Sequence, residues 1–246
     1  MILWIAILIA IIIAEVVTAV VSPIWGMGLH AALFVLLIAL ASFNHRSADR
    51  KLCLAISLAP LIRVLSLSMP LVGFAQINWY LIISVPLLAA TFVVVRMVRY
   101  SRCDIGLKVS HLPLQLLVAC TGLVFGLVEY YILSPEPLVE TMTLQSLLLP
   151  AFILLVATGF TEEVIFRGVM QRSALDVMGG RYALVYVAAV FAALHIGYLS
   201  ILDVVFVFVV ALFFALIVKR TGSLLGVTLS HALTNITLYL VIPLLF

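Results

Sequence analysis

The chain has 246 residues, of which 66% are hydrophobic and 9% charged, with a formal net charge of +3 and a mean hydropathy of +1.38. A water-facing globule carries roughly 25% charged residues, so a soluble domain is excluded, whereas a surface that faces lipid needs no such charge. No basic cluster accompanies the positive balance, which speaks against nucleic acid as a partner and is read as membrane topology.

Runs of roughly 20 apolar residues, the length that crosses a bilayer as a helix, are predicted over 1–21, 24–43, 52–75, 78–98, 112–134, 143–161, 182–199, 201–218 and 223–245. The expected fold class is therefore all-α, a polytopic transmembrane helix bundle of eight or nine spans. Two junctions decide the number: Ser22-Pro23, which alone separates the first pair, and Gly197-Tyr198, where the seventh and eighth runs meet. The first run starts at Met1 without a basic leader or a small-residue cleavage site, and reads as a retained anchor rather than a signal peptide. Cys53, Cys103 and Cys120 show no paired spacing, so no disulfide framework or thiolate metal site is expected.

The linkers alternate in charge. The second holds His45, Arg46, Arg50 and Lys51; the fourth Arg96, Arg99, Arg102 and Lys108; the sixth Arg167, Arg172 and Arg181; the eighth Lys219 and Arg220. The odd linkers have no Lys or Arg, and the fifth carries Glu136 and Glu140. Basic linkers are retained in the cytoplasm, which places the amino terminus inside and favours nine spans. Short linkers point to the inner membrane of a prokaryote. Trp79-Tyr80, Tyr130-Tyr131 and Tyr198 lie near predicted span ends, as interfacial aromatics do.

Ionisable side chains within spans need partners or a role. Glu15, His30, Arg63, Glu129 and Asp203 are scattered, and are read as polar contacts between helices; Arg63, in mid-span, requires a carboxylate or carbonyl partner. The last third of the chain differs. It carries Glu162-Glu163-Val164-Ile165-Phe166-Arg167, then Phe191-Ala192-Ala193-Leu194-His195, then His231-Ala232-Leu233-Thr234-Asn235. Glu163 and Arg167 are four apart and share a helical face, as are His231 and Asn235. Glu162 is rotated by roughly 100° from Glu163 and can point elsewhere. If the sixth helix runs to Gly179-Gly180 and the seventh returns from there, Glu162 and His195 stand ~26 Å and ~23 Å along antiparallel helices. His231 would be somewhat shallower, and the cavity would open to the cytoplasm.

The three motifs E-E-x-x-x-R, F-x-x-x-H and H-x-x-x-N, in this order on apolar helices, resemble the CAAX-protease and bacteriocin-processing (CPBP, Abi-type) family of intramembrane proteases over about residues 145–240. The resemblance implies a protease core within 111–246 and leaves 1–110 as membrane segments of unassigned role. It implies cleavage of a peptide or protein substrate in the membrane, prenylated or otherwise lipidated ones among them. It makes Glu162 the base that activates water, His195 the group that orients that water or shares its proton, and His231 and Asn235 the donors to the oxyanion. Glu163 and Arg167 would hold the helix and tune the field, with the roles of the two acids open to exchange. Glu162, His195 and His231 could alternatively ligate zinc, but no H-E-x-x-H is present, and a metal-free mechanism without cofactor is favoured. Two other readings stand beside it: a family relative that binds peptides or prenyl groups without cutting them, and a proton-coupled transporter built on the same buried acids and histidines.

Overall fold

A computed structural model describes the chain except for Val72 and the side chain of Leu71. Among the described residues nine helices are long and apolar enough to cross a membrane. They are α1 (Ile2–Val21), α2 (Pro23–Phe43), α3 (Ser47–Ser68), α4 (Gln76–Val98), α5 (Leu112–Leu133), α6 (Leu144–Met178), α7 (Gly180–Tyr198), α8 (Ile201–Thr221) and α9 (Leu225–Leu244). Most follow the apolar runs closely. The third span, predicted over 52–75, starts earlier and ends at Ser68; Val72 lies outside the described residues. At the first doubtful junction Ser22 is extended, with φ −167° and ψ 131°, and Pro23 opens α2. The lack of a proline N–H costs nothing at a helix start.

The sixth helix extends beyond the apolar run 143–161 to the Gly179-Gly180 turn, as the depth comparison of Glu162 and His195 supposes. It has 35 residues, ~52 Å at the α-helical rise, against a hydrocarbon core of about 30 Å. Two π-helical stretches interrupt it, Leu154–Phe160 and Val164–Met170. They bracket Thr161-Glu162-Glu163, and wide turns of this kind often mark functional sites.

Helix α6 is the hub. Helices α3, α4, α7 and α9 pack on it, while α5 lies along α9, α8 along α7, α2 along α3, and α1 against α7. One apolar cluster runs from Trp4 and Ile11 on α1 through Ile56 on α3 and Phe166 on α6 to Ala211 on α8. Large apolar side chains outside it, such as Ile24, Val35, Phe92, Leu117 and Leu202, are exposed. An apolar exterior of this extent suits lipid rather than water.

The four basic linkers meet at one end of the bundle. The Lys51 ammonium lies 4.9 Å from the Tyr100 ring centroid, and the Tyr100 hydroxyl is 3.2 Å from Ser173 Oγ. Ser110 Oγ donates to the Thr221 carbonyl at 2.7 Å, and Ser223 Oγ to the Lys108 carbonyl at 2.6 Å. Nine passes put all even linkers on one side, as this arrangement requires.

The turn between α8 and α9 is set unusually deep. Leu224 N–H donates to the Gly106 carbonyl at 3.0 Å, and Gly106 holds φ +75°, which favours glycine. A Cβ on Gly168 would meet the Ile105 carbonyl at 3.0 Å and Leu224 at 3.6 Å. The turn thus sits level with Gly168, and α6 continues ten residues past it to Met178, ~15 Å. This corrects the expected depth of His231. Glu162 is six residues above Gly168 and His231 seven above Leu224, so both reach the same level.

Close backbone approach fixes α9 laterally. A Cβ on Gly122 of α5 would overlap the Ser230 carbonyl oxygen, and one on Gly159 of α6 would lie 2.9 Å from the Thr228 carbonyl oxygen. Small residues at such crossings let membrane helices pack backbone to backbone. Gln115 Oε1 on α5 accepts the Gly226 N–H at 2.6 Å, satisfying a first-turn donor of α9.

Candidate active site

The three motifs come together in the middle of the bundle. Glu163 is fully buried, and its Oε1 is the common acceptor for two neighbours: Arg167 Nη1 at 2.8 Å and His231 Nδ1 at 2.8 Å. The intrahelical pair follows from the spacing of four; the contact to His231 follows from the matched depth of α9. Arg167 is 2% exposed and its guanidinium lies between two rings, 4.4 Å from the Phe191 centroid and 5.5 Å from that of Phe214. The flat, weakly hydrated guanidinium suits such a stack.

Glu162 faces the other way. It makes no hydrogen bond among the described residues, its side chain is 28% exposed, and its Oε2 is 3.9 Å from His231 Nε2. It lines a cavity of about 370 Å³ between α3, α4, α6 and α7, with Arg63, Tyr80, Thr158, Phe166, Phe191 and His195 among the other wall residues. His195 Nδ1 lies 3.1 Å from the Phe191 carbonyl oxygen. A carbonyl only accepts, so Nδ1 carries the proton and a neutral His195 keeps a bare Nε2 lone pair. Phe191 packs on both imidazoles, with centroids 5.1 Å from His195 and 6.0 Å from His231.

Asn235 Nδ2 donates to Thr158 Oγ1 at 2.8 Å, and Thr158 in turn donates to the Leu154 carbonyl at 2.5 Å. The amide is thereby oriented, with no partner for its second N–H among the described residues. Thr158 is one helical turn before Glu162, on the same face. That spacing was visible in the sequence, but a threonine in a span carries no charge to draw attention. On the far side of Phe191, Glu129 of α5 borders a small cavity of about 40 Å³ together with His195, His231 and Asn235.

Residues 144–237 match the family model described as Type II CAAX prenyl endopeptidase Rce1-like. The matched segment starts with α6, ends inside α9 and contains every residue of the three motifs. It associates this part of the chain with CAAX-type proteases at the level of the family. No curated protein and no solved structure matches the chain.

Among the described residues no three His, Cys, Asp or Glu side chains are grouped as ligands of one metal ion. The Nδ1 contact of His231 with Glu163 fixes the direction of its ring, and His195 is fixed separately by Phe191. The cavity of Glu162 has several wall residues close to helix ends. Its wall uses Arg63 and Ser66 near the end of α3, Tyr80 near the start of α4, and Gly197 and Tyr198 at the end of α7. All of these are close to odd linkers. The matched segment also does not build the cavity alone, because α3 and α4 lie outside it.

Proposed function

We propose that the protein is an intramembrane endopeptidase that hydrolyses a peptide bond of a membrane-associated or lipidated substrate with water activated by Glu162. The observation that carries this is the division of labour between adjacent acids. Glu163 is occupied by Arg167 and His231, whereas Glu162 is unengaged on the wall of a cavity that also receives His195.

Amide hydrolysis needs a base for water, a proton for the leaving amine and donors for the tetrahedral oxyanion. In this reading Glu162 takes a proton from water held between it and the bare Nε2 of His195. The water oxygen bonds to the scissile carbonyl carbon, and the carbonyl oxygen becomes an oxyanion. Asn235 donates its free amide N–H to that oxyanion. His231 joins it from Nε2 when doubly protonated, with Glu163 at 2.8 Å and Glu162 at 3.9 Å offsetting the imidazolium charge. Collapse of the intermediate breaks the C–N bond, and the proton on Glu162 passes to the amine. Arg167 touches no substrate and acts by holding Glu163, and through it His231.

Comparing membrane-peptide inventories of cells that carry the wild-type chain or Glu162→Gln tests this. A membrane-anchored precursor should accumulate uncut in the variant at equal protein abundance. Identical inventories would remove the base assignment, and solute flux that depends on Glu162 would favour transport instead.

A further inference from the structure

Arg63 has a use that its role as a contact between helices does not exhaust. Its Nε is 2.6 Å from Glu15 Oε1, and the same oxygen is 3.2 Å from His30 Nε2. Glu15 and His30 are fully buried. Glu15 of α1 is thus the ion-pair partner of Arg63 on α3, and His30 of α2 stands against the same carboxylate oxygen. The Arg63 side chain is 16% exposed and lines the cavity of Glu162. A Cβ on Gly197, another wall residue, would lie 3.5 Å from Arg63 Nη2. Arg63 is the one Lys or Arg among the described wall residues, and it makes no ion pair with Glu162. Arg167, nearby, is already occupied by Glu163 and two rings.

Guanidinium has five donors in a planar fork, and Glu15 meets only the Nε edge. Among the described residues the Nη edge has no ion-pair partner and can take a second acceptor. A carboxylate entering this cavity is penalised twice, by loss of water and by the charge on Glu162. It can settle only against a cation placed away from the base, and bidentate pairing makes arginine the suitable one.

We infer that Arg63 is a substrate-binding residue whose Nη edge receives a carboxylate of the peptide and so sets its direction across Glu162. This rests on the proteolytic reading for the meaning of the peptide, but its test does not use cleavage. The Glu162→Gln protein in nanodiscs is titrated with three fluorescent peptides that share a dodecanoyl group and one apolar sequence. One ends in a free carboxylate, one in an amide, and one in an amide with a glutamate as its last residue. Hydrogen bonds to a charged group contribute about 1.5–3 kcal/mol, so the free acid should bind about tenfold or more tightly than the plain amide. The glutamate peptide distinguishes a side-chain carboxylate from a chain terminus as the preferred source, and tighter binding than the plain amide by either acid supports the assignment. Arg63→Gln combined with Glu15→Gln, which leaves no unpaired buried charge, should erase the difference. Equal affinities in the Arg63 protein, undetectable binding of all three included, would overturn the assignment. So would a preference that survives in the double variant. Failure of the proteolytic reading would appear separately, as precursor processing indifferent to Glu162.

Discussion

Glu162 and Glu163 are chemically identical neighbours with opposite surroundings, and their substitutions should separate accordingly. Glu162→Gln removes a group with no hydrogen-bond partner among the described residues, so folding should persist while turnover falls by roughly 10²–10⁴-fold, the usual contribution of a positioned base. Glu163→Gln removes the acceptor shared by Arg167 and His231. It leaves a guanidinium buried without its counter-charge, a loss of about 3–5 kcal/mol. Detergent-solubilised Glu163→Gln should therefore unfold at markedly lower temperature than Glu162→Gln, whose midpoint should be near wild type. Equal midpoints would mean that Glu163 is not the structural member of the pair. The sequence showed which residues could share a helical face: spacing of four predicts the Glu163–Arg167 pair. It left open which acid turns to the cavity, because that depends on where α7 and α9 approach α6.

At the scale of the helix, hydropathy located nine apolar runs but cut α6 short. Glu162, Glu163, Arg167, Gln171 and Arg172 lower the local average, and an average over residues does not register that Glu163 and Arg167 neutralise each other or that Gln171 Nε2 donates to the Ala215 carbonyl at 3.0 Å. The depth of α9 was equally hidden, because it is set by Gly106 and Gly168, far from it in the chain. These contacts lead to a prediction about α5. The backbone approach at Gly122 holds α9, and with it His231 and Asn235, against α6. Gly122→Leu should push α9 outward, destabilise the fold by about 1–3 kcal/mol as overpacking does, and depress activity without touching a reactive group. Gly28→Leu on α2 is the control, because a Cβ there has nothing within 4 Å; it should behave as wild type in both thermal unfolding and precursor processing. If Gly122→Leu matched it in both, tight packing of α5 on α9 would not be what positions these side chains.

For the molecule as a whole, the alternation of basic linkers was legible, and the contacts of Lys51, Tyr100, Ser110 and Ser223 bring those linkers together at one end. What could not be read was that Glu15, His30 and Arg63, each isolated in sequence, converge beside the cavity, because they meet only when α1, α2 and α3 pack. If basic linkers are cytoplasmic, the wall formed by Ser66, Tyr80 and Tyr198 lies nearer the outer face. Thiol labelling in intact cells decides this. Cys103 is exposed in the basic α4–α5 linker and Cys53 is buried, so a Cys120→Ser background leaves Cys103 as an internal reporter. Glu140→Cys adds a thiol to the acidic α5–α6 linker, where the native glutamate is exposed. A membrane-impermeant maleimide should modify Glu140→Cys in intact cells and reach Cys103 only after permeabilisation. Ser66→Cys should follow Glu140→Cys if the cavity takes water from the outer side. Labelling of Cys103 in intact cells would reverse the bundle in the membrane. Modification of Ser66→Cys only alongside Cys103 would mean that water reaches the cavity from the basic end, and a substrate entering from the cytoplasm would then be required.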